Sequence, residues 1–316
     1  MAERAMHEKL RALEELLRSW GRVAIGYSGG VDSTFLAAVC ARVMPRDAVL
    51  VRLDTLFAGT PERESGAREI RAGGSSGAAC GLPLVTIDMC PLDDALIARN
   101  GRDRCYYCKL AGFSAILAEA RSRGISVVAD GSNADDADDD RPGMRALREL
   151  GVRSPLMETG WRKDEERAVL RAWRVPVWDM PAGACLATRI PHGELLTARK
   201  LSTVRACEDY LRSLGLRQVR ARLAEGCVHV EASPADLLEI GRMDVRRVDG
   251  PERERPPHEE GERDAARTPP VGSVALPESV LGRLAALSGG AVDPWARPYG
   301  RGGARSKQVV RSATMG

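Results

Sequence analysis

The run Ser28, Gly29, Gly30, Val31, Asp32 and Ser33 carries the chemistry of an anion cradle. Two glycines let the backbone turn tightly and bring its N–H groups close to an anion, and the hydroxyls of Ser28 and Ser33 add donors where a helix begins. The run follows an apolar strand-like segment, RVAIGY, and opens a segment with helical spacing, the context of a pyrophosphate cradle. It has no Gly-Lys-Ser/Thr, so it is not a Walker loop and lacks that loop's lysine. Asp32 would repel phosphate and better suits a Mg²⁺ ion shared with it. The plain alternative is a serine-glycine turn with an aspartate cap.

Cysteine supplies the second group of reactive side chains. Arg104-Cys105-Tyr106-Tyr107-Cys108-Lys109 sets two thiols three positions apart at a predicted helix start, close enough to share a metal. The helix dipole, Arg104 and Lys109 would lower their pKa values. Two thiols do not complete a tetrahedral site, so zinc or an iron–sulfur cluster needs a partner from elsewhere. Cys185, in the proline-bounded loop 181–191 (PAGACLATRIP), is the best third candidate. Three thiolates leave one iron of a four-iron cluster without a protein ligand, open to a substrate or an extra sulfide. Buried apolar cysteines are the plain alternative.

Two further groups have charge at useful spacing. Asp130 and Asn133 follow a predicted strand end, where they could bind nucleotide or metal; Asp135, Asp136, Asp138, Asp139 and Asp140 are too many for one site and are expected mostly to face water. Arg220 and Arg222 alternate on a predicted strand and so share a face, a forked anion clamp.

The elements that must position these residues read as an α/β fold. A helix over 4–19 leads to the strand RVAIGY and the helix VDSTFLAAVCARV; AVLVRLD, PLVTIDM and ISVVADG follow as strands. Between them PERESGAREIRA and CKLAGFSAILAEARSRG read as helices, although the run 72–77 (AGGSSG) forms helix poorly. Such spacing requires crossovers and predicts a doubly wound parallel sheet over 1–190, with ligands outside the carboxyl ends of its strands. Over 195–245 a helix, two alternating strands (RQVRARL, CVHVEA) and a helix starting at SPAD predict a small α+β domain for substrate binding or oligomerisation. Residues 251–316 are rich in Pro, Gly and charge and are expected to be a disordered tail, with only SVLGRLAAL offering a short helix.

Composition narrows the partners. A net charge of +3 over 316 residues neither demands nor excludes an anionic partner, while aromatics at 4% poorly supply the stacking that single-stranded RNA needs. A nucleotide substrate would suffice. No apolar run approaches the ~18 residues of a membrane span, and the N-terminal helix pattern is not that of a signal peptide. The chain is therefore expected in the cytoplasm, where its 8 cysteines would not form structural disulfides.

The Ser28–Ser33 segment resembles the PP-loop of the ATP-pyrophosphatases, which cleave ATP between the α and β phosphates and adenylate a substrate oxygen. The ordered set SGGVDS, DRCYYCK, DGSNADDADDDRPG, SPL at 154–156, the helix start from Lys163 to Arg167, and ACLATRIP is similar to the sacrificial sulfur transferases of nickel-pincer nucleotide biosynthesis, the LarE family, over about residues 5–245. The resemblance implies adenylation of pyridinium-3,5-biscarboxylic acid mononucleotide, conversion of its carboxylates to thiocarboxylates, and a homo-oligomer. It implies either that Cys185 gives up its own sulfur or that Cys105, Cys108 and Cys185 hold a [4Fe-4S] cluster carrying sulfur on its open iron. The presence of all three thiols favours the cluster form. Arg220 and Arg222 would grip the substrate phosphate, and Glu208, Glu231 and Glu239 match positions that bind a divalent ion near a subunit contact. The competing readings are a tRNA-thiolating enzyme of the same superfamily, an ammonia-using ligase, and a nucleotide-binding redox sensor.

Overall fold

A computed structural model describes residues 2–61, 81–136, 142–181, 183–243 and 269–299. The chain divides into two units, residues 1–186 with 193–198, and 187–192 with 199–316. The predicted helix PERESGAREIRA, its glycine-rich continuation, and Asp138, Asp139 and Asp140 lie wholly or mostly outside the described residues.

The first unit runs α1 (Ala2–Ser19), β1 (Val23–Gly26), α2 (Val31–Val43), β2 (Ala48–Asp54), β3 (Leu84–Asp88), α3 (Arg104–Ser122), β4 (Val127–Ala129), α4 (Pro142–Glu149) and α5 (Lys163–Ala172), with short helical turns between. Its strands form a parallel sheet in the order β3-β2-β1-β4, with Ile25 opposite both Leu50 and Ala129. Both faces are covered, because successive side chains of a strand point to opposite sides. Val23 and Ile25 join Leu13, Leu17, Phe35, Trp161 and Leu170 in one core, while Ala24 joins Val51, Phe113, Ile116 and Leu147 in the other.

Strands β2 and β4 flank β1 on opposite sides, so the β1/β4 boundary is where the winding reverses and where ligands of such sheets bind. The loops after β1 and β4 meet there. Gly29 holds φ at 77°, a left-handed conformation that costs a side-chain-bearing residue ~1–2 kcal/mol. Gly131 lets the second loop close on the first: a Cβ there would sit 2.9 Å from the Ser33 backbone nitrogen.

The second unit contains α6 (Ala198–Ser213), β5 (Val219–Ala224), β6 (Cys227–Ala232), α7 (Pro234–Met243), β7 (Val274–Ala275), α8 (Glu278–Ser288), β8 (Ala291–Val292) and β9 (Trp295–Pro298). β5 and β6 pair antiparallel, with Arg220 opposite Glu231 and Arg222 opposite His229. The mixed sheet is ordered β5-β6-β9-β7, with β8 also against β6. The short helix expected at SVLGRLAAL is α8, while the disorder expected around it is corrected over 269–299: Leu276, Val280, Leu284 and Ala296 are buried in one core with Leu211, Val228, Val230 and Ile240. Strands of two to four residues are too short to show an alternation, and the surrounding Pro, Gly and charge hide them. Residues 251–268 and 300–316 lie outside the description. Among the described residues no helix is long and apolar enough to cross a membrane.

Candidate functional site

The Ser28–Ser33 loop is closed by its own hydroxyls. Ser28 Oγ lies 3.0 Å from Ser33 Oγ and accepts the Gly30 N–H at 3.3 Å; Ser33 Oγ accepts the Ser28 N–H at 3.3 Å. Gly30, extended at φ −81° and ψ 176°, caps α2, and Asp32 stands in that helix's first turn. The loop therefore offers N–H groups and hydroxyls at the positive end of a helix.

Asp32 is held from two sides. Its Oδ2 accepts from Lys163 Nζ at 2.9 Å and its Oδ1 from Asn133 Nδ2 at 3.3 Å. The same Asn133 amide donates to Glu166 Oε1 at 3.0 Å. Glu166 is fully buried; burial and a hydrogen bond with Asp32 push its carboxyl up to about 9, and its Oε2 has no hydrogen-bond partner. Helix α5 is placed at its start by Asp135, which accepts from Arg162 Nη1 (2.9 Å) and the Lys163 N–H (3.0 Å), and by Glu165, which accepts the Arg162 N–H (2.9 Å) and pairs with Lys9 of α1 (2.7 Å). Asp130 is also buried and accepts from Ser132, from Ser154 Oγ (2.6 Å) and from Lys109 Nζ (3.3 Å), so it braces the β4 loop from within.

Cys105 and Cys108 occupy the first turns of α3, which begins at Arg104 rather than at the CxxC's second thiol. Cys105 is exposed, 3.8 Å from Arg104 Nη2; Cys108 and Cys185 are half-buried. Leu186 donates its N–H to Phe57 O at 2.9 Å and pins the Cys185 loop beside the segment after β2. Burial, then the nearby Cys185 and Cys105, push the Cys108 thiol up to about 12, outweighing Arg104 and Lys109. The lowered pKa expected from those cations is therefore corrected for Cys108. Three thiols from two distant stretches share this neighbourhood, and thiolates are the right donors for iron. Among the described residues no three His, Cys, Asp or Glu side chains are grouped so that they could hold a metal ion, the three thiols included.

In the second unit Arg222 donates from Nε to Glu231 Oε1 (2.6 Å) and from Nη1 to Thr188 O (2.8 Å). Arg220 is buried, its guanidinium 5.3 Å from the centre of the Tyr299 ring; burial and neighbouring Arg189 lower its pKa. Glu208 is fully buried and accepts from Arg189 Nε (2.6 Å) and Nη2 (3.2 Å), Arg212 Nη2 (2.7 Å) and the Ala221 N–H (3.2 Å). Burial alone would raise its pKa, but Arg189, Arg212 and Arg220 hold it below the ordinary carboxylate range. Glu239 pairs with Arg242 on an exposed stretch of α7.

Three side chains acquire importance here that the residue pattern did not assign: Lys163, Glu166 and Arg189. Lys163 supplies from α5 the positive charge that the loop itself lacks. Glu166 had a legible signal, since it stands three and four positions before Val169 and Leu170 on the buried stripe of α5, where a carboxylate is out of place.

No protein-family model matches the chain. An uncharacterised protein of Synechocystis is 34% identical over 235 residues, 74% of this chain and 85% of that protein. An uncharacterised protein of Methanocaldococcus jannaschii is 25% identical over 201 residues, 64% of this chain and 73% of that protein. The pyridinium-3,5-bisthiocarboxylic acid mononucleotide synthase of Lactiplantibacillus plantarum is 32% identical over 231 residues, 72% of this chain and 81% of the synthase. With the doubly wound sheet and the phosphate-type loop at its switch point, this similarity implies an enzyme, and the chain belongs to the family of pyridinium-3,5-bisthiocarboxylic acid mononucleotide synthases.

Proposed function

We propose that this chain is an ATP-dependent sulfurtransferase that adenylates the carboxylates of pyridinium-3,5-biscarboxylic acid mononucleotide and converts them to thiocarboxylates. The observation that carries the reading is the Ser28–Ser33 loop, closed by its own hydroxyls at the start of α2, in a chain of the bisthiocarboxylic acid mononucleotide synthase family. ATP lies with its β and γ phosphates on the N–H groups of 28–33, and Lys163 faces the phosphates as a counter-charge. Asp32 has the donor type for Mg²⁺, which when bound would neutralise phosphate charge. A substrate carboxylate oxygen attacks the α phosphorus, pyrophosphate leaves with the P–O bond electrons, and an acyl adenylate forms. Sulfur then attacks the acyl carbon and AMP departs. In the second unit Arg220 and Arg222 bind the substrate's phosphate as cationic partners.

Cys105, Cys108 and Cys185 would hold a [4Fe-4S] cluster, which when bound would supply sulfur from its open iron and spare the protein. Without it, Cys185 attacks the acyl carbon itself, and elimination across its Cα–Cβ bond releases the thiocarboxylate and leaves dehydroalanine.

Substituting Cys185→Ala tests both routes. Pyrophosphate release should persist while thiocarboxylate formation stops; normal product from this variant would overturn the assignment. Anaerobic iron and labile-sulfide analysis of wild type and of Cys105→Ala and Cys108→Ala separates the routes. Iron lost in each variant supports the cluster, and iron-free wild type with loss of hydrogen sulfide from Cys185 after turnover supports sacrifice.

A further inference from the structure

Glu166 is a poor choice for packing. It lies on the buried stripe of α5 with Val169 and Leu170, is 0% exposed, and leaves Oε2 without a hydrogen bond. A buried polar atom left unpaired destabilises the fold, and an apolar side chain of similar size would avoid that cost. The nearby cation does not pair with it directly, because Lys163 Nζ bonds to Asp32. What Glu166 does bond is the Asn133 amide, whose Nδ2 spans Asp32 Oδ1 and Glu166 Oε1. With Asn133, itself anchored on Glu166, at one oxygen and Lys163 at the other, the Asp32 carboxylate is held from both sides.

We infer that Glu166 is a positioning residue for nucleotide binding: it anchors Asn133 and Asp32 so that the Asp32 carboxylate meets the metal-bound phosphates of ATP, and it does so at a net cost to the stability of the fold. The inference rests on the ATP-binding reading proposed above. It predicts that stability and nucleotide affinity respond in opposite directions when Glu166 is made apolar, which no purely structural role would produce.

The test uses the full chain with Glu166→Leu and Glu166→Gln, read by thermal unfolding, by calorimetric titration with ATP and Mg²⁺, and by pyrophosphate release. In Glu166→Leu the unfolding midpoint should hold or rise, while the ATP dissociation constant and KM rise about tenfold as Asn133 loses its anchor and Asp32 its placement; kcat at saturating ATP should change less. Glu166→Gln keeps an acceptor for Asn133, so its ATP affinity should stay within about twofold of wild type. Wild-type ATP affinity in Glu166→Leu overturns the inference. So does weakened ATP binding with a lowered midpoint in Glu166→Leu and an equal loss in Glu166→Gln, since that is the signature of a misfolded site. Failure of the wild-type protein to bind ATP would instead remove the ATP-binding reading on which the inference stands.

Discussion

The Arg189–Glu208–Arg212 cluster offers a quantitative test of how the second unit is held together. Glu208→Ala leaves the Arg189 guanidinium, whose side chain is 2% exposed, buried without its counter-charge. Breaking a buried pair from one side costs ~3–5 kcal/mol. The Ala221 N–H also loses its acceptor, about 1 kcal/mol, whereas Arg212, 24% exposed and still paired with Asp209, adds little. These terms overlap, so the expected loss is roughly 4 kcal/mol. With a urea slope of ~1–3 kcal/mol/M, the unfolding midpoint of the second unit should fall by about 2 M. Hydrogen exchange of β5 and β6 against urea reports this unit separately.

The pH dependence has a definite sign. The folded-state pKa of Glu208 is lowered, so its stabilisation is present above the unfolded carboxylate value of ~4.3 and is lost as pH falls through the depressed folded value. The difference between wild type and Glu208→Ala should be full at pH 7 and should shrink as the medium is acidified below that range. The same experiment weighs the divalent-ion role implied for Glu208 by resemblance. A wild-type midpoint insensitive to chelator supports an internal counter-charge; an unchanged midpoint in Glu208→Ala, or a wild-type loss reproduced by chelator alone, would refute the argument.

Lys163→Met should lower kcat/KM for ATP in pyrophosphate release by about 100-fold, with little change in the unfolding midpoint because its side chain is 36% exposed. Gly131→Ala should weaken ATP binding at least about tenfold by titration, since its Cβ would press on the Ser33 backbone, which cannot rotate aside. At pH 8, iodoacetamide followed by peptide mass analysis should label exposed Cys105 well before Cys108, whose thiol is pushed up to about 12; equal rates would contradict the burial of Cys108.

The short apolar runs VAIG and AVLVRLD, the helical spacing of 31–43 and the two glycines after β1 are local features, and they suffice to predict a doubly wound sheet with a phosphate-type loop. The arginines of β5 were likewise placed on one face by period alone. Legibility ended where partners are remote. Asp130, which the sequence offers as a nucleotide or metal ligand beside a plain acidic loop, accepts from Ser132, Ser154 and Lys109, and no local pattern reveals those partners. Glu208 was visible as a charge, but its burial against Arg189 was not. Residues 269–299 read as tail because the core that orders them lies on α6, β5, β6 and α7.

Sequence by itself determined the class of fold and marked the Ser28–Ser33 loop and three cysteines as candidates, because propensity, period and residue type act over a few positions. Tertiary structure alone decided that Lys163 and Asn133 grip Asp32. It alone set Cys185 within electrostatic reach of Cys108 and buried Glu166 against the Asn133 amide. Those outcomes depend on which strands become neighbours and how much water each group loses, and both are properties of the packed chain.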